Sequence, residues 1–223
     1  MKHLFQKALE LKYEYIALSE HNPANKLSAQ KQTDLIRKRN NKIDQVLHKY
    51  KNLAKLKIFK LLEVDILANG SLGVNHQALD YLDAFIVSIH SSFRQSTKIT
   101  TKRILQGLKH PKAKILGHPT GRLLGQREGL KADWELIFQY CAENNKAVEI
   151  NSIPKRLDLP DSLVRKAKAM GVRFVINTDA HKTESLENIK FGVSVARRGW
   201  LTKKDVLNTL SADQFANWLF NKN

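Results

Sequence analysis

A single cysteine, Cys141, stands in 223 residues, so no disulfide can form within the chain. Its setting, Ile137-Phe138-Gln139-Tyr140-Cys141-Ala142, reads as the buried side of a helix and argues against a catalytic thiol. Long apolar stretches are missing as well. The apolar runs fall far short of the roughly 20 residues that span a bilayer, and no apolar leader core follows the basic N-terminus. A cytoplasmic, soluble chain with no membrane partner is expected. Acidic residues are scarce: 21 Asp and Glu stand against 38 Lys and Arg, a formal charge of +17 and a pI near 9.9. That excess attracts polyanions and makes nucleic acid the first partner to consider. Much of it lies in the first 60 residues, where Arg37, Lys38, Arg39, Lys42, Lys49, Lys51, Lys55, Lys57 and Lys60 sit on or just after a long helical pattern. Aromatic residues among these cations are sparse, so stacking on bases is weakly supported there, and a solvated basic face is the alternative. Internal repeats and low-complexity linkers are also absent, and the 42% hydrophobic content is ordinary for a globular chain. Residues 1–223 are therefore expected to form one domain.

What is present is an alternation of two periodicities. Helical spacing of apolar residues predicts helices over 2–12, 28–50, 76–81, 100–109, 133–144 and 161–170. Short, continuously apolar runs predict strands over 14–18, 58–66, 84–89, 114–117, 147–151 and 173–178. Gly192 to Val195 reads as a further short strand, and Thr202 with Asp205 and Ser211 as the starts of two terminal helices. Strands that are apolar throughout are buried on both faces, and helical crossovers between them make the sheet parallel.

The ligand-capable side chains follow one rule. His21, Glu63, His90, His118, Asp179 and His181 each fall at the C-terminal end of an expected strand or within its last residues. In a parallel α/β barrel the active site is built on that face. Asp179 and His181, two residues apart, present a carboxylate and an imidazole to the same side of an extended backbone, as two ligands to one metal would require. Alone, such a pair also fits an Asp-capped turn; the other four strand ends favour a metal site. A carboxylate within the apolar run at Glu63 needs a partner or a cation in any case. His3, His48, His76 and His110 lie away from strand ends and read as surface residues.

Glu63-Val64-Asp65, Ser88-Ile89-His90-Ser91, Gly117-His118-Pro119-Thr120-Gly121-Arg122, Glu149-Ile150-Asn151 and Asn177-Thr178-Asp179-Ala180-His181 resemble, in this order, the motifs of the PHP (polymerase and histidinol phosphatase) family. Gly117 to Gly125 and Val195-Ala196-Arg197-Arg198-Gly199-Trp200-Leu201 are most similar to the C-terminal PHP domain of bacterial family X DNA polymerases. The resemblance runs over essentially the whole chain. It implies a distorted (βα)7 barrel of mostly parallel strands holding up to three divalent metal ions. It also implies phosphoester hydrolysis, which in the family X polymerases is 3′ to 5′ exonuclease or related DNA-end processing in repair. Carried over, the metal ligands are His21, Glu63 as the bridging carboxylate, His90, His118, Asp179 and His181, with Glu63, His90 and Asp179 closest to the catalytic chemistry. Arg122 is the candidate for holding a substrate phosphate. The mixed nitrogen and oxygen donors suit zinc, manganese or iron.

The family pattern begins with a strand ending in His-x-His, which this sequence lacks, as it lacks a polymerase domain; Ser19-Glu20-His21 stands where Thr-Asp-His is usual. Residues 1–223 are thus expected to form a PHP barrel without its first strand, with fewer metals than the full set and an open edge where a second copy or a partner chain can pair. Three functions stay open: a phosphoesterase acting on nucleic-acid ends, an impaired remnant serving as a basic DNA- or polymerase-binding module, and a small-molecule phosphatase of the histidinol phosphatase type.

Overall fold

The computed structural model describes residues 1–221. The chain enters on helix α1 (Lys2–Glu10) and strand β1 (Tyr15–Leu18). Ser28 then caps the long helix α2 (Ala29–Lys49), its side chain accepting from the Lys31 amide at 3.3 Å. The expected strand over 58–66 is broken into β2 (Lys57–Lys60) and β3 (Glu63–Asp65). After them α3 (His76–Leu79), β4 (Phe85–Ser88), α4 (Thr97–Leu108), β5 (Ala113–Leu116), α5 (Trp134–Glu143), β6 (Ala147–Asn151), α6 (Asp161–Ala169) and β7 (Arg173–Asn177) alternate strictly. The expected short strand at Gly192 to Val195 is instead part of helix α7 (Ile189–Arg198). Its apolar residues Val195 and Ala196 face the core at helical spacing, so the period there is 3.6 rather than 2. Thr202 and Asp205 form a capping box that opens only a 3-10 turn. Ser211 and Gln214 form a second one, which starts the full helix α8 (Ala212–Phe220).

All strand pairs are parallel, in the order β3-β4-β5-β6-β7, with β1 paired to β2. The two pieces form one curved sheet, because His21 bridges Glu63 and the Glu63 amide donates to the Glu20 carbonyl at 2.9 Å. This is a distorted α/β barrel, open between β1 and β7. Along the open side of β7, Phe174 bridges Val206 and Asn208 pairs through its side chain with both the amide and the carbonyl of Ile176, at 2.7 and 3.0 Å. Side chains alternate across the sheet. Val64, Phe85, Val87, Leu116, Val148, Ile150, Phe174 and Ile176 face outward into the core shared with the helices. Ile86, Ile115, Ala147 and Val175 face inward and meet Phe215, Trp218 and Leu219 of α8, which plugs the barrel. One step further along the same inward rows come Glu63, Glu149, Asn151 and Asn177. The apolar floor thus ends where the polar site begins. Among the described residues no helix is long and apolar enough to cross a membrane.

Candidate metal centre

Glu63 is the hub. It stands at the first position of β3, only 8% exposed, pointing into the barrel. His118 Nε2 lies 2.8 Å from its Oε1, His90 Nε2 3.3 Å from the same oxygen, and His21 Nδ1 3.2 Å from Oε2. The His21 and His90 rings are 5.0 Å apart, as are those of His90 and His118. Burial alone would raise the Glu63 carboxyl, but the His118 hydrogen bond and the close approach of the His118 and His90 imidazoles outweigh it and hold the group well below the usual carboxylate range. His90 is pushed the other way, up to about 9. Its burial would lower it, and the carboxylates of Asp65 and Glu63 overcome that.

The His90 ring and the His118 backbone are each held by a neighbour. His90 Nδ1 sits 2.6 Å from Asp65 Oδ1, two residues along the same face of β3, which leaves Nε2 turned toward Glu63. That Nε2 is buried with no hydrogen bond of proper geometry, and it is the donor atom a cation would take. His118 sits at positive φ (22°) just after β5, its amide donating to Glu149 Oε2 at 2.6 Å. Glu149 is fully enclosed. It also accepts from Asn151 Nδ2 at 3.2 Å and from Asn177 Nδ2 at 2.7 Å, and burial pushes its carboxyl up to about 7. The loop after His118 is held by Asp158, also fully buried, whose Oδ1 accepts from the amide and hydroxyl of Thr120 at 3.2 and 2.9 Å.

His21, Glu63 and His90 each offer a ligand atom within 4.8 Å of the others. Three imidazoles around one carboxylate, with a buried orphan nitrogen among them, fit a divalent ion of the borderline class. Asp179 and His181 form a second group at the end of β7. His181 Nδ1 lies 2.9 Å from the Asp179 carbonyl, and the His181 ring is 6.3 Å from that of His21. Asp179, at φ 48°, accepts from Asn151 Nδ2 at 3.1 Å and has Arg156 Nε 3.8 Å from its Oδ2. Of the six expected ligands, His21, Glu63, His90 and His118 therefore meet directly, while Asp179 and His181 flank them. Arg122 is placed differently from the phosphate role. Its Nε donates to the Arg156 carbonyl at 2.8 Å and its Nη2 to the Leu157 carbonyl, so the guanidinium that faces Asp179 is that of Arg156. Glu20, the residue before the candidate ligand His21, turns away and pairs with Arg39. Burial pushes the Cys141 thiol up to about 12, in keeping with an inert side chain.

A cleft of about 780 Å³ runs from this centre along the gap between β1 and β7. Sequence reasoning missed Arg156, Asp158 and the assigned roles of Glu149, Asn151 and Asn177. The last three were findable, since they occupy inward positions of strands at period two. Arg156 and Asp158 lie on a loop without periodicity.

An α/β barrel whose strand C-termini converge on a carboxylate ringed by imidazoles defines the class. The chain belongs to the PHP (polymerase and histidinol phosphatase) family. It is 35% identical over 211 residues to the DNA polymerase/3′-5′ exonuclease PolX of Bacillus subtilis, which covers 95% of this chain and 36% of that protein. It is 29% identical over 164 residues to a probable phosphatase of Thermoanaerobacter sp. (69% of this chain, 64% of that one). A probable phosphatase of Caldanaerobacter subterraneus is 27% identical over 177 residues (75% and 67%). The chain thus spans about a third of PolX and just under two thirds of the first phosphatase. No family model matches the sequence.

Proposed function

We propose that this protein is a metal-dependent phosphoesterase of the PHP type that hydrolyses phosphoester bonds at nucleic-acid ends. The observation that carries the reading is the convergence of His21, His90 and His118 on Glu63, with Arg156 beside Asp179 on the facing strand end. His21, Glu63, His90 and His118 would hold a divalent zinc, manganese or iron ion, which when bound would supply Lewis acidity toward a phosphoryl oxygen and water. The chain's own groups do the rest. Asp65 fixes the His90 tautomer with its proton on Nδ1, Glu149 anchors His118 through its amide, and Asp179 completes the ligand set from β7. Arg156 takes a phosphate oxygen in the fork geometry a guanidinium offers, and Arg122 holds the backbone of Arg156 in place. The +17 charge and the similarity to an exonuclease support a polyanionic substrate.

A second reading, a small-molecule phosphatase, is favoured by the relatives named as probable phosphatases. Metal analysis of the purified protein, with hydrolysis of a 3′-labelled single strand and of small phosphomonoesters under added manganese, tests both. Higher kcat/KM on the strand supports the nucleic-acid reading, and the reverse supports the second. Fewer than one tightly bound metal per chain with no turnover on either substrate overturns the enzyme reading and leaves a basic binding module. Glu63→Gln is expected to abolish turnover. The outer edge of β1 belongs to the same proposal as the place where a strand of a second copy or a partner pairs, since among the described residues β2 is the only strand paired with β1.

A further inference from the structure

A second cavity, of about 960 Å³, opens between the loop that follows β4 and the loop that follows β5. The two loops grow out of the metal centre: the cavity begins two residues beyond His90, at Ser92, and five beyond His118, at Leu123. Three of its lining side chains are cationic, Arg94, Arg127 and Lys131, against one carboxylate, Glu128, so the wall is positive by two charges. Both loops are braced from below. Arg103, 2% exposed, donates from Nη1 to the Ser91 carbonyl and to Gln95 Oε1, each at 3.0 Å, and from Nε to the Ile66 carbonyl at 3.1 Å. Across the cavity, Leu123 and Arg127 exchange backbone hydrogen bonds of 2.9 and 2.8 Å, and the Leu124 amide donates to the Lys155 carbonyl at 2.7 Å.

Arg127 is the most constrained of the three cations. Its Nε and Nη2 donate to the Gly121 carbonyl at 2.9 and 2.6 Å, and its guanidinium lies 3.8 Å from the centroid of the Phe93 ring. Phe93 can come that close because Gly121 sits at φ +62° and has no Cβ; one built there would lie 2.9 Å from Phe93 Cε1. The sandwich fixes the guanidinium as a plane on the cavity wall. A held guanidinium plane offers two things to a strand: a stacking surface for any base and a charge for its phosphate. Burial lowers the Arg127 pKa, and the neighbouring Arg156 charge lowers it further.

We propose that this cavity is a track for single-stranded nucleic acid, holding the nucleotides next to the bond presented to the metal centre through Arg94, Lys131 and the face of Arg127 turned away from Phe93. The inference rests on the phosphoesterase reading only for the direction of the strand; the binding itself is tested without turnover. The probe is a short fluorescein-labelled oligothymidylate, followed by anisotropy with the full chain over a salt series. The double variant Arg94→Gln/Lys131→Gln changes two exposed side chains. It is expected to weaken binding about tenfold near 0.1 M salt and to reduce the slope of log affinity on log salt by roughly 1.4, about 0.7 per lost phosphate contact. Arg127→Lys keeps the charge and removes the plane, so affinity falls with the slope unchanged. Turnover of a small chromogenic phosphodiester at the metal centre stays as in the wild type. The control Arg37→Gln/Lys38→Gln removes as much charge from the exposed face of α2. An equal loss in that control, equal binding of a poly-glutamate peptide of matched charge, or wild-type affinity in the Arg94/Lys131 variant overturns the track. If no phosphoester is hydrolysed but the anisotropy results hold, the catalytic reading fails and the track stands.

Discussion

Removing the Asp65 carboxylate tests whether the centre is a metal site, because its one side-chain partner is His90. Its Oδ1 lies 2.6 Å from His90 Nδ1, while its backbone is held independently: the amide donates to Asn22 Oδ1 at 2.7 Å and the carbonyl accepts from the Gly73 amide at 2.8 Å. Substitution therefore changes the side chain without moving β3. Asp65→Asn retains an acceptor of the same size but loses the charge that strengthens the bond and raises the basicity of the far nitrogen. Asp65→Ala loses both. Partners of this kind support metal affinity by about 10–100-fold, or roughly 1.4–2.8 kcal/mol, so we expect Asn near the lower figure and Ala near the upper. The assay is competition for zinc and for manganese against a chromophoric chelator at fixed pH. Thermal unfolding of metal-free protein, little changed because the carboxylate is 38% exposed, serves as the control for folding. A double-mutant cycle sharpens the test: in a His90→Ala background Asp65→Asn should have no further effect. Unchanged affinity in both Asp65 variants, with His90→Ala impaired, would refute the orienting role; unchanged affinity in His90→Ala itself would remove His90 from the ligand set.

Arg156→Lys is expected to raise KM for the phosphoester with metal content unchanged, whereas Arg122→Lys should act more weakly and through loss of loop order; steady-state kinetics beside metal analysis separates them. Gly117→Ala would place a Cβ 2.5 Å from Ser88 Oγ and 2.6 Å from Ile86 Cγ2 between paired strands, so denaturant unfolding should show a loss of about 1–3 kcal/mol. Lys146 is buried and its pKa is lowered to about 8, chiefly by burial and then by Lys114. The unfolded chain therefore binds more protons between about pH 8 and 10.5, and stability rises with pH through that window. The rise is at most roughly 3 kcal/mol, present in wild type and missing in Lys146→Met by urea unfolding. Asn208→Ala strips both side-chain bonds from the Ile176 backbone and should cost about 1–3 kcal/mol. If sheet edges drive association, the same variant dimerises more readily in sedimentation velocity.

The barrel was legible in the sequence through its strands and the candidate site through the shared position of its residues, and the reason is geometric. Val148 and Ile150 face the helices while Glu149 and Asn151 face the barrel, so a two-residue period within one short strand encodes both packing and site. The same logic explains His90 with Asp65: a carboxylate two residues after Glu63 has to reach the same face. What could not be read is whatever depends on loops and on distance along the chain. Arg122 and Arg156 are both cations near a strand end, and only the folded loop shows that the first bonds the carbonyls of 156 and 157 while the second faces Asp179. Val195 misled because an isolated short apolar run carries no usable period, and α7 buries it at helical spacing.

The open side of the barrel shows the same division between pattern and tertiary contact. No sequence pattern marks Asn208 as the side chain that closes the Ile176 edge of β7, because an Asn imitating a backbone pair needs only a carbonyl and an amide at the right separation. Yet this contact narrows the open edge expected of the barrel. With Phe174 bridged to Val206 and Ile176 bonded to Asn208, the lower part of β7 is covered by the chain itself. Among the described residues, no strand or bridge pairs with the outer edge of β1. A strand that entered the cleft would pair along β1 first and meet β7 only beyond Ile176, at Asn177 to Asp179, where the second group of candidate ligands begins. On the proposed reading, occupation of the cleft would be coupled to the geometry of Asp179 and His181, and a partner that fills the gap should change metal stoichiometry as well as oligomeric state.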